Sequence, residues 1–325
     1  MHKMRDPNIL IFYNQYMDYM GGRGLNYSRS PEKPGLLMKY LQREGLMKYF
    51  RVEEGFAPFE KEDFYIAHTR KMVDNFFDKG KTSRILGIKW TPQYALSVRY
   101  TNASFYHALR HAVINPSTPC FSGVSGFHHA TPTRGALFCA FSGQVIASMK
   151  IYREFGLCGA YIDLDGHHGN SIDNSRDFVP DIDKAISPEC GNINISLSHG
   201  SYIAELEKQL SLLAVEILNN RVHYVVFAHG ADSHQDDDLG SQLSTEEWLK
   251  CSEMVYGMIH DVETMRGRCI PLAMVAFGGY RSDHFDSVLA LHAADLVCCL
   301  NTLCGTPVRY RPHIRSRSRA ADFEE

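Results

Sequence analysis

The chain has 325 residues, of which 44% are hydrophobic and 22% are charged, and its formal net charge at pH 7 is -3. This composition is that of an ordinary soluble globular protein, long enough to enclose one sizeable core. The small negative charge gives no general electrostatic reason to bind nucleic acid or a membrane, so we expect neither as a direct partner.

The first half of the chain is predicted to be mainly helical. A short strand is expected over 8–13, and the loop over 16–30 contains several glycines. Apolar residues at helical spacing predict helices over 34–46, 62–78 and 97–114. These helices carry no chemical motif, so we interpret them as structural.

The second half alternates between helices and strands. Helices are predicted over 144–155, 202–218, 245–265 and 285–300, and strands over 159–165, 193–197, 223–228 and 272–277. This alternation predicts an α/β fold, a three-layer sandwich in which a mostly parallel central sheet has helices on both faces. Ligands of such sheets bind at the carboxyl ends of the strands.

Two features bear on domain organisation and compartment. An arginine-rich segment over 306–325 is typical of a solvated, loosely ordered tail, which leaves 1–305 as a single domain. Nine scattered cysteines, with only Cys298 and Cys299 adjacent, indicate reduced thiols and a cytoplasmic protein. We expect no signal peptide before the first strand and no segment of membrane-spanning length.

The segment over 161–171 contains candidate metal ligands. Asp163, Asp165 and His167 occupy alternate positions, so an extended backbone directs them to one side. Carboxylates among apolar strand residues are costly to bury unless a cation pairs with them. The alternative is a turn cluster of Asp, Asn and Gly without a metal.

A third candidate ligand follows another predicted strand. With Asp165 and His167, Asp232 would supply two oxygens and one nitrogen and leave a position open for water, as catalytic zinc requires. Alternatively, Asp232 caps a helix or turn. The acidic run 236–238 is expected to face solvent. Zinc in such a site suits the hydrolysis of an amide or an ester.

Two further motifs could complete an active site. The adjacent pair His128 and His129 could supply a general base and an acid, with Asp163 and Asn170 orienting their rings. Tyr280 follows two glycines at a strand end, where its phenol could reach a substrate carbonyl. A packing aromatic is the alternative for this tyrosine.

Four motifs in this order resemble the zinc-dependent histone deacetylase family, and together they are more specific than any one alone. They are Gly-Phe-His-His-Ala at 126–130, Ile-Asp-Leu-Asp-Gly-His-His-Gly-Asn at 162–170, Gly-Ala-Asp-Ser-His at 230–234 and Gly-Gly-Tyr at 278–280. This family shares an α/β fold with arginases and acetylpolyamine amidohydrolases. The resemblance is to a bacterial-type deacetylase or an acetylpolyamine amidohydrolase-like member.

The resemblance implies a role for each matching residue. One zinc ion per chain would be bound by Asp165, His167 and Asp232. The catalytic residues would be His128, His129 and Tyr280. A structural potassium ion would be held by Asp163, Asp165, His167, Ser196 and Leu197. Phe138 would form an aromatic wall of the substrate channel, and Leu239 stands where polyamine-specific relatives tend to carry a glutamate.

Several residues depart from the family pattern. Residues 30–36 lack the arginine that commonly lines the inner acetate pocket. Trp90 stands where an aspartate often clamps a peptide backbone, and Leu137 replaces a glycine before Phe138. The chain between Ser196 and Asp232 is short, and a second aromatic wall has no counterpart. We therefore expect an unusual rim.

The sequence predicts a zinc-dependent hydrolase that removes an acetyl or other acyl group from an amine. The expected substrate is an acylated lysine side chain of a peptide or protein. One alternative is an amidohydrolase acting on acetylpolyamines or other small acylated amines. Another is a catalytically silent acyl-binding module. The sequence does not indicate an oligomeric state.

Overall fold

The structure is a computed structural model, and it describes residues 5–20, 28–81, 87–195, 201–240 and 242–317. Seven strands in this part of the chain form one sheet, and every strand pairing is parallel. The strands are β1 (Ile9–Phe12), β2 (Phe50–Glu53), β3 (Cys120–Ser122), β4 (Gly159–Asp163), β5 (Asn192–Asn194), β6 (Tyr224–Ala228) and β7 (Leu272–Val275). Their order across the sheet is β2-β1-β3-β7-β6-β4-β5.

Ten α-helices among the described residues accompany this sheet. They are α1 (Lys33–Arg43), α2 (Lys61–Phe64), α3 (Arg70–Phe77), α4 (Pro92–Ile114), α5 (Gly143–Phe155), α6 (Ser171–Ser175), α7 (Ile182–Ala185), α8 (Tyr202–Leu218), α9 (Thr245–Arg266) and α10 (Phe285–Thr302). Short 3-10 helices lie at Gln15–Met17, Ser30–Glu32, Met47–Tyr49 and Ala231–Ser233.

The two faces of the sheet contribute to two separate cores. In β1, Ile9 and Ile11 enter one core, whereas Leu10 and Phe12 enter the other. This division follows from the alternation of side chains along a strand. Helices α1, α8, α9 and α10 cover the first core, and α3, α4 and α5 cover the second. The predicted three-layer α/β sandwich is therefore confirmed.

Some predicted elements have different bounds in the structure. The helix predicted over 62–78 is two helices, because Thr69 has an extended backbone and caps α3 by accepting the N–H of Met72. The strand predicted over 159–165 ends at Asp163. The strand predicted over 193–197 ends at Asn194, and positions 196 and 197 lie outside the described residues.

The topology positions the candidate site. In sequence order the strands β3, β4, β6 and β7 are far apart, but in the sheet they are neighbours in the order β3-β7-β6-β4. Their last residues pair in register, with Ser122 beside Val275, Val275 beside Ala228, and Ala228 beside Asp163. Four loops therefore leave the same edge of the sheet at the same level.

The described part of the predicted tail, 306–317, contains no helix or strand but contacts the domain. The Tyr310 hydroxyl lies 2.9 Å from the Tyr40 hydroxyl, and the Arg315 N–H donates to the Ser287 hydroxyl at 3.1 Å. Arg317 pairs with Asp238. The predicted loose ordering of 306–325 stays a prediction.

Helix α10 is long and apolar enough to cross a membrane, whereas we expected no segment of that length. This 18-residue helix has a mean hydropathy of 1.2, which meets the length and composition of a membrane-spanning segment. However, 78% of it is buried inside the domain, where it packs against α1 and α9. It is therefore placed as a core helix. No disulfide bond joins any of the nine cysteines, all of which lie in the described part of the chain.

A buried histidine joins two loops beside the second core. His68 is 2% exposed, and its Nε2 accepts the N–H of Ser142 at 2.8 Å. Its Nδ1 therefore carries the proton and donates to the Thr131 carbonyl at 2.9 Å. Burial lowers the pKa of His68 from 6.5 to about 4, with the Thr131 carbonyl partly opposing the shift.

This histidine predicts an acid-sensitive stability. Because the folded-state pKa of His68 is lowered, the unfolded state binds more protons between about pH 4 and 6.5, and the free energy of unfolding falls as pH falls through that interval. The loss amounts to about 3 kcal/mol. Urea unfolding of the metal-free protein should show a smaller fall in His68→Gln than in the wild type. Equal falls in both proteins would contradict this assignment.

Candidate metal centre and active site

Three side chains converge where β4 and β6 end. Asp165 and His167 follow β4, and Asp232 lies in the 3-10 helix that follows β6. One potential ligand atom from each lies within 4.8 Å of the others. His167 Nδ1 is 2.8 Å from Asp232 Oδ2 and 3.1 Å from Asp165 Oδ1. Within the described ranges, no other group of three such residues meets this criterion.

The hydrogen bonding of this group fits a cation. Asp165 is 6% exposed, yet its Oδ2 has no hydrogen-bond partner. A buried carboxylate oxygen in this condition is rare and costly unless an ion or a water satisfies it. Two carboxylates and one imidazole form a donor set that suits zinc with a position left open for water.

The pKa shifts of the ligand group indicate that negative charge is in excess there. Burial and the neighbouring charge of Asp165 raise the pKa of Asp232 to about 6. Hydrogen bonds with Asp165 and Asp232 raise the pKa of His167 to about 10. The group thus holds a proton more strongly than isolated residues do. A divalent cation would neutralise the same charge.

Two glycines allow the backbone to approach these carboxylates. A β carbon on Gly278 would lie 1.9 Å from Asp232 Oδ1 and 2.8 Å from Asp165 Oδ2. A β carbon on Gly230 would lie 2.4 Å from the same Asp232 oxygen. Gly278 also has a φ of +52°, which L side chains rarely adopt. No larger residue fits either position without displacing a candidate ligand.

His128 and His129 lie beside this group on the loop that follows β3, with ring centroids 4.0 Å apart. His128 Nδ1 is 2.8 Å from Asp163 Oδ2. Burial lowers the pKa of His128, but Asp163 and Asp165 outweigh burial and raise it to about 9. Burial and the positive charge of His128 lower the pKa of His129 to about 3. The pair therefore combines one protonated and one neutral imidazole.

The loop after β4 is held against this pair. The N–H groups of Asn170 and Ser171 donate to the His128 carbonyl at 2.9 and 2.8 Å. Asn194 on β5 accepts the N–H of Gly169 at 2.7 Å. The structure thus places Asp163 and Asn170 against the histidines that we expected them to orient.

The predicted potassium site is only partly described. Asp163, Asp165 and His167 lie together after β4, whereas Ser196 and Leu197 lie outside the described residues. A potassium ion bound by these five residues stays a prediction.

Tyr280 lies on the loop that follows β7, between the metal group and the predicted channel wall. Its ring centroid is 6.1 Å from that of His167 and 5.7 Å from that of Phe138. Burial, followed by the charges of Asp165 and Asp232, raises the pKa of its phenol well above the ordinary value. Tyr280 therefore stays protonated at neutral pH and can donate a hydrogen bond.

A cavity lies against Tyr280 and His128 and extends to helix α4. Leu137 and Phe138 form part of its wall, and both have positive φ, at +43° and +68°. They are the central residues of a tight turn closed by a bridge between Ala136 and Cys139. Non-glycine residues rarely adopt this conformation, so the channel wall is strained.

Two predicted rim residues do not line this cavity. Leu239 is 52% exposed on the loop that carries Asp232. Trp90 is half-buried and packs over Gly80, whereas its neighbour Ile88 contributes to the cavity wall. The structure therefore does not place Trp90 where a peptide clamp would lie.

Two charged residues at this site are not among those predicted from the sequence. Lys33 is fully buried, and its ammonium group donates to the Gly278 carbonyl. Burial lowers the pKa of Lys33 to about 7, partly opposed by Asp232 and Asp165. The expectation that 236–238 faces solvent is wrong for Asp237, which is 4% exposed. Its oxygens accept backbone N–H groups, which the sequence of an acidic run does not reveal.

Comparisons with known proteins bear on the family and on the fold. The family model of the histone deacetylase domain matches residues 27–182, just under half of the chain, including His128, Asp165 and His167. Among solved structures, the HD domain of HDA15 matches with a TM-score of 0.69 and 16% identity, covering 93% of this chain and 91% of that chain. At this identity the structural likeness shows the fold. The family match shows a histone deacetylase domain over residues 27–182.

Proposed function

We propose that this protein is a zinc-dependent deacylase that hydrolyses an N-acyl amine, with the acetylated lysine side chain as its substrate. The histone deacetylase domain over 27–182 supports a deacetylase-type hydrolase. The observation that carries the zinc proposal is the partnerless Asp165 Oδ2, buried within the Asp165, His167 and Asp232 group. These three residues would hold one zinc ion per chain, and the predicted potassium ion would be a separate structural ion.

When bound, zinc would supply Lewis acidity toward a carbonyl and lower the pKa of a water molecule. The protein's own residues supply the proton transfers. His129 is neutral at physiological pH, so its imidazole can accept a proton from the attacking water. His128, held protonated by Asp163, can donate a proton to the leaving amine.

Tyr280 would polarise the acyl carbonyl. Its phenol stays protonated because of its raised pKa. It can therefore donate a hydrogen bond to the oxygen on which negative charge develops during attack. Its intact position beside His167 supports an active enzyme over a silent acyl-binding module.

The residues that line the cavity favour a substrate whose chain next to the acyl group carries no charge. Among the described residues that form its wall, none is Asp, Glu, Lys or Arg. A cationic polyamine chain would find no carboxylate there, whereas the methylene arm of an acylated lysine needs none. Leu239, at the position of a gatekeeper glutamate in polyamine-specific relatives, favours the same choice. An acetylpolyamine remains the second candidate because the channel wall departs from the family pattern at Leu137.

Zinc affinity tests the metal assignment. We expect wild-type protein to bind one Zn2+ per chain, and Asp232→Asn to bind it more than about 100-fold more weakly, because the variant loses a charged ligand oxygen. Competition with a chromogenic chelator, combined with elemental analysis, measures both quantities. Asp238→Asn, in the same loop but outside the ligand group, should bind zinc like the wild type. Unchanged zinc affinity in Asp232→Asn would contradict the assignment.

Turnover tests the proposed chemistry. The zinc-loaded protein should cleave an acetyl-lysine peptide faster than an N-acetylated polyamine when the two are assayed side by side. We expect Tyr280→Phe to lower kcat by about 10²–10³-fold and His129→Ala by about 10²–10⁴-fold. The matched controls Tyr65→Phe and His260→Ala alter residues outside the site and should retain activity.

Faster cleavage of the polyamine would select the second candidate. Binding of acylated ligands by the zinc-loaded wild type without any turnover would instead support a silent acyl-binding module. Full activity of Tyr280→Phe would remove the phenol from the proposed mechanism.

A further inference from the structure

The segment that carries Tyr280 has little structure of its own. Residues 276–284 form neither helix nor strand. The two residues before Tyr280 are Gly278 and Gly279, with φ of +52° and +96°. Glycine has more accessible backbone conformations than any other residue, so contacts from elsewhere in the fold must fix the position of this tyrosine.

Asp237 makes the central contact with this segment. One oxygen, Oδ2, accepts the N–H of Tyr280 at 2.7 Å, and the other, Oδ1, accepts the N–H of Leu239 at 3.0 Å. The residue is 4% exposed, so these hydrogen bonds are shielded from water. Hydrogen bonds to a buried carboxylate are stronger than those between neutral groups.

We propose that Asp237 is a positioning residue for catalysis, acting by holding the Tyr280 backbone so that the phenol faces the metal group. The inference rests on the proposed function, because it requires Tyr280 to act on the substrate. The effect of Asp237 on the reaction passes through Tyr280.

Other contacts hold the segment on either side of Tyr280. On one side, Lys33 donates to the Gly278 carbonyl. On the other side, Asp238 accepts the N–H of Ser282 at 2.8 Å. Removing the Asp237 contact leaves both ends of the segment attached and releases the tyrosine between them.

The same carboxylate couples the tyrosine to the rim. Asp237 also accepts the N–H of Leu239, so one carboxylate holds the backbone of both the exposed rim residue and Tyr280. The loop that carries Asp232 thus sets the position of Tyr280 as well as contributing a candidate metal ligand.

The test compares Asp237→Asn with the matched control Asp238→Asn in the full-length, zinc-loaded protein. Asn at 237 is nearly isosteric but must present an NH2 group to one of two N–H donors, so one hydrogen bond is lost. We expect Asp237→Asn to lower kcat at least about 10-fold, with KM within about twofold and zinc content unchanged. Asp238→Asn should keep kcat within about twofold of the wild type.

A double-mutant cycle separates positioning from a general structural role. If Asp237 acts through the phenol, Asp237→Asn should cause no further loss of kcat in Tyr280→Phe. An equal fold loss in both backgrounds would overturn the proposal. So would wild-type kcat in Asp237→Asn, or a loss of activity that merely follows a loss of zinc.

Amide hydrogen exchange gives a readout that does not depend on turnover. Peptides covering 277–283 should exchange slowly in the wild type and faster in Asp237→Asn, while peptides covering 159–167 stay unchanged. Free exchange over 277–283 in the wild type would overturn the proposal even if the variant failed to fold. If the wild type cleaves neither substrate, the proposed function fails, and the exchange comparison still decides whether Asp237 holds this segment.

Discussion

Negative charge buried at one edge of a parallel sheet is the constraint on which the rest of this site depends. Asp163, Asp165 and Asp232 are 1%, 6% and 0% exposed, and they lie at or just after the ends of the neighbouring strands β4 and β6. Buried like charges persist only where cations and hydrogen-bond donors compensate them. His128 and His167 supply part of this compensation, and the partnerless Asp165 Oδ2 marks where a metal would supply the rest.

Much of the site could be predicted from the sequence, because its chemistry is local. Asp163, Asp165 and His167 lie within five residues after an apolar strand, and His128 and His129 are adjacent. Parallel topology then brings the loops together, since ligands gather where parallel strands end. Long helices could also be predicted, from the spacing of their apolar residues. The helix predicted over 202–218 has the same bounds as α8, because its apolar residues repeat over four turns.

The missed features depend on contacts between distant positions. Asp237 belongs to a run of three acidic residues, and its buried carboxylate accepts the N–H of Tyr280, 43 positions later. Lys33 is buried against Gly278, 245 positions away. The short strands β2 and β3 are fixed by pairing with β1, and β2 lies at the sheet edge with little apolar signal. Such tertiary contacts override local propensity, so no local pattern could reveal them.

The most direct test of the central claim is X-ray absorption spectroscopy at the zinc edge, recorded on the protein loaded with one zinc ion per chain. An Asp165, His167 and Asp232 site predicts a first shell of only nitrogen and oxygen, at about 2.0–2.2 Å, with outer-shell scattering from one imidazole. Buried Cys139, which lines the cavity together with Tyr280 and His128, would supply sulfur as an alternative ligand. A sulfur shell at about 2.3 Å, or scattering from two or more imidazoles, would contradict the assignment of the metal to this group.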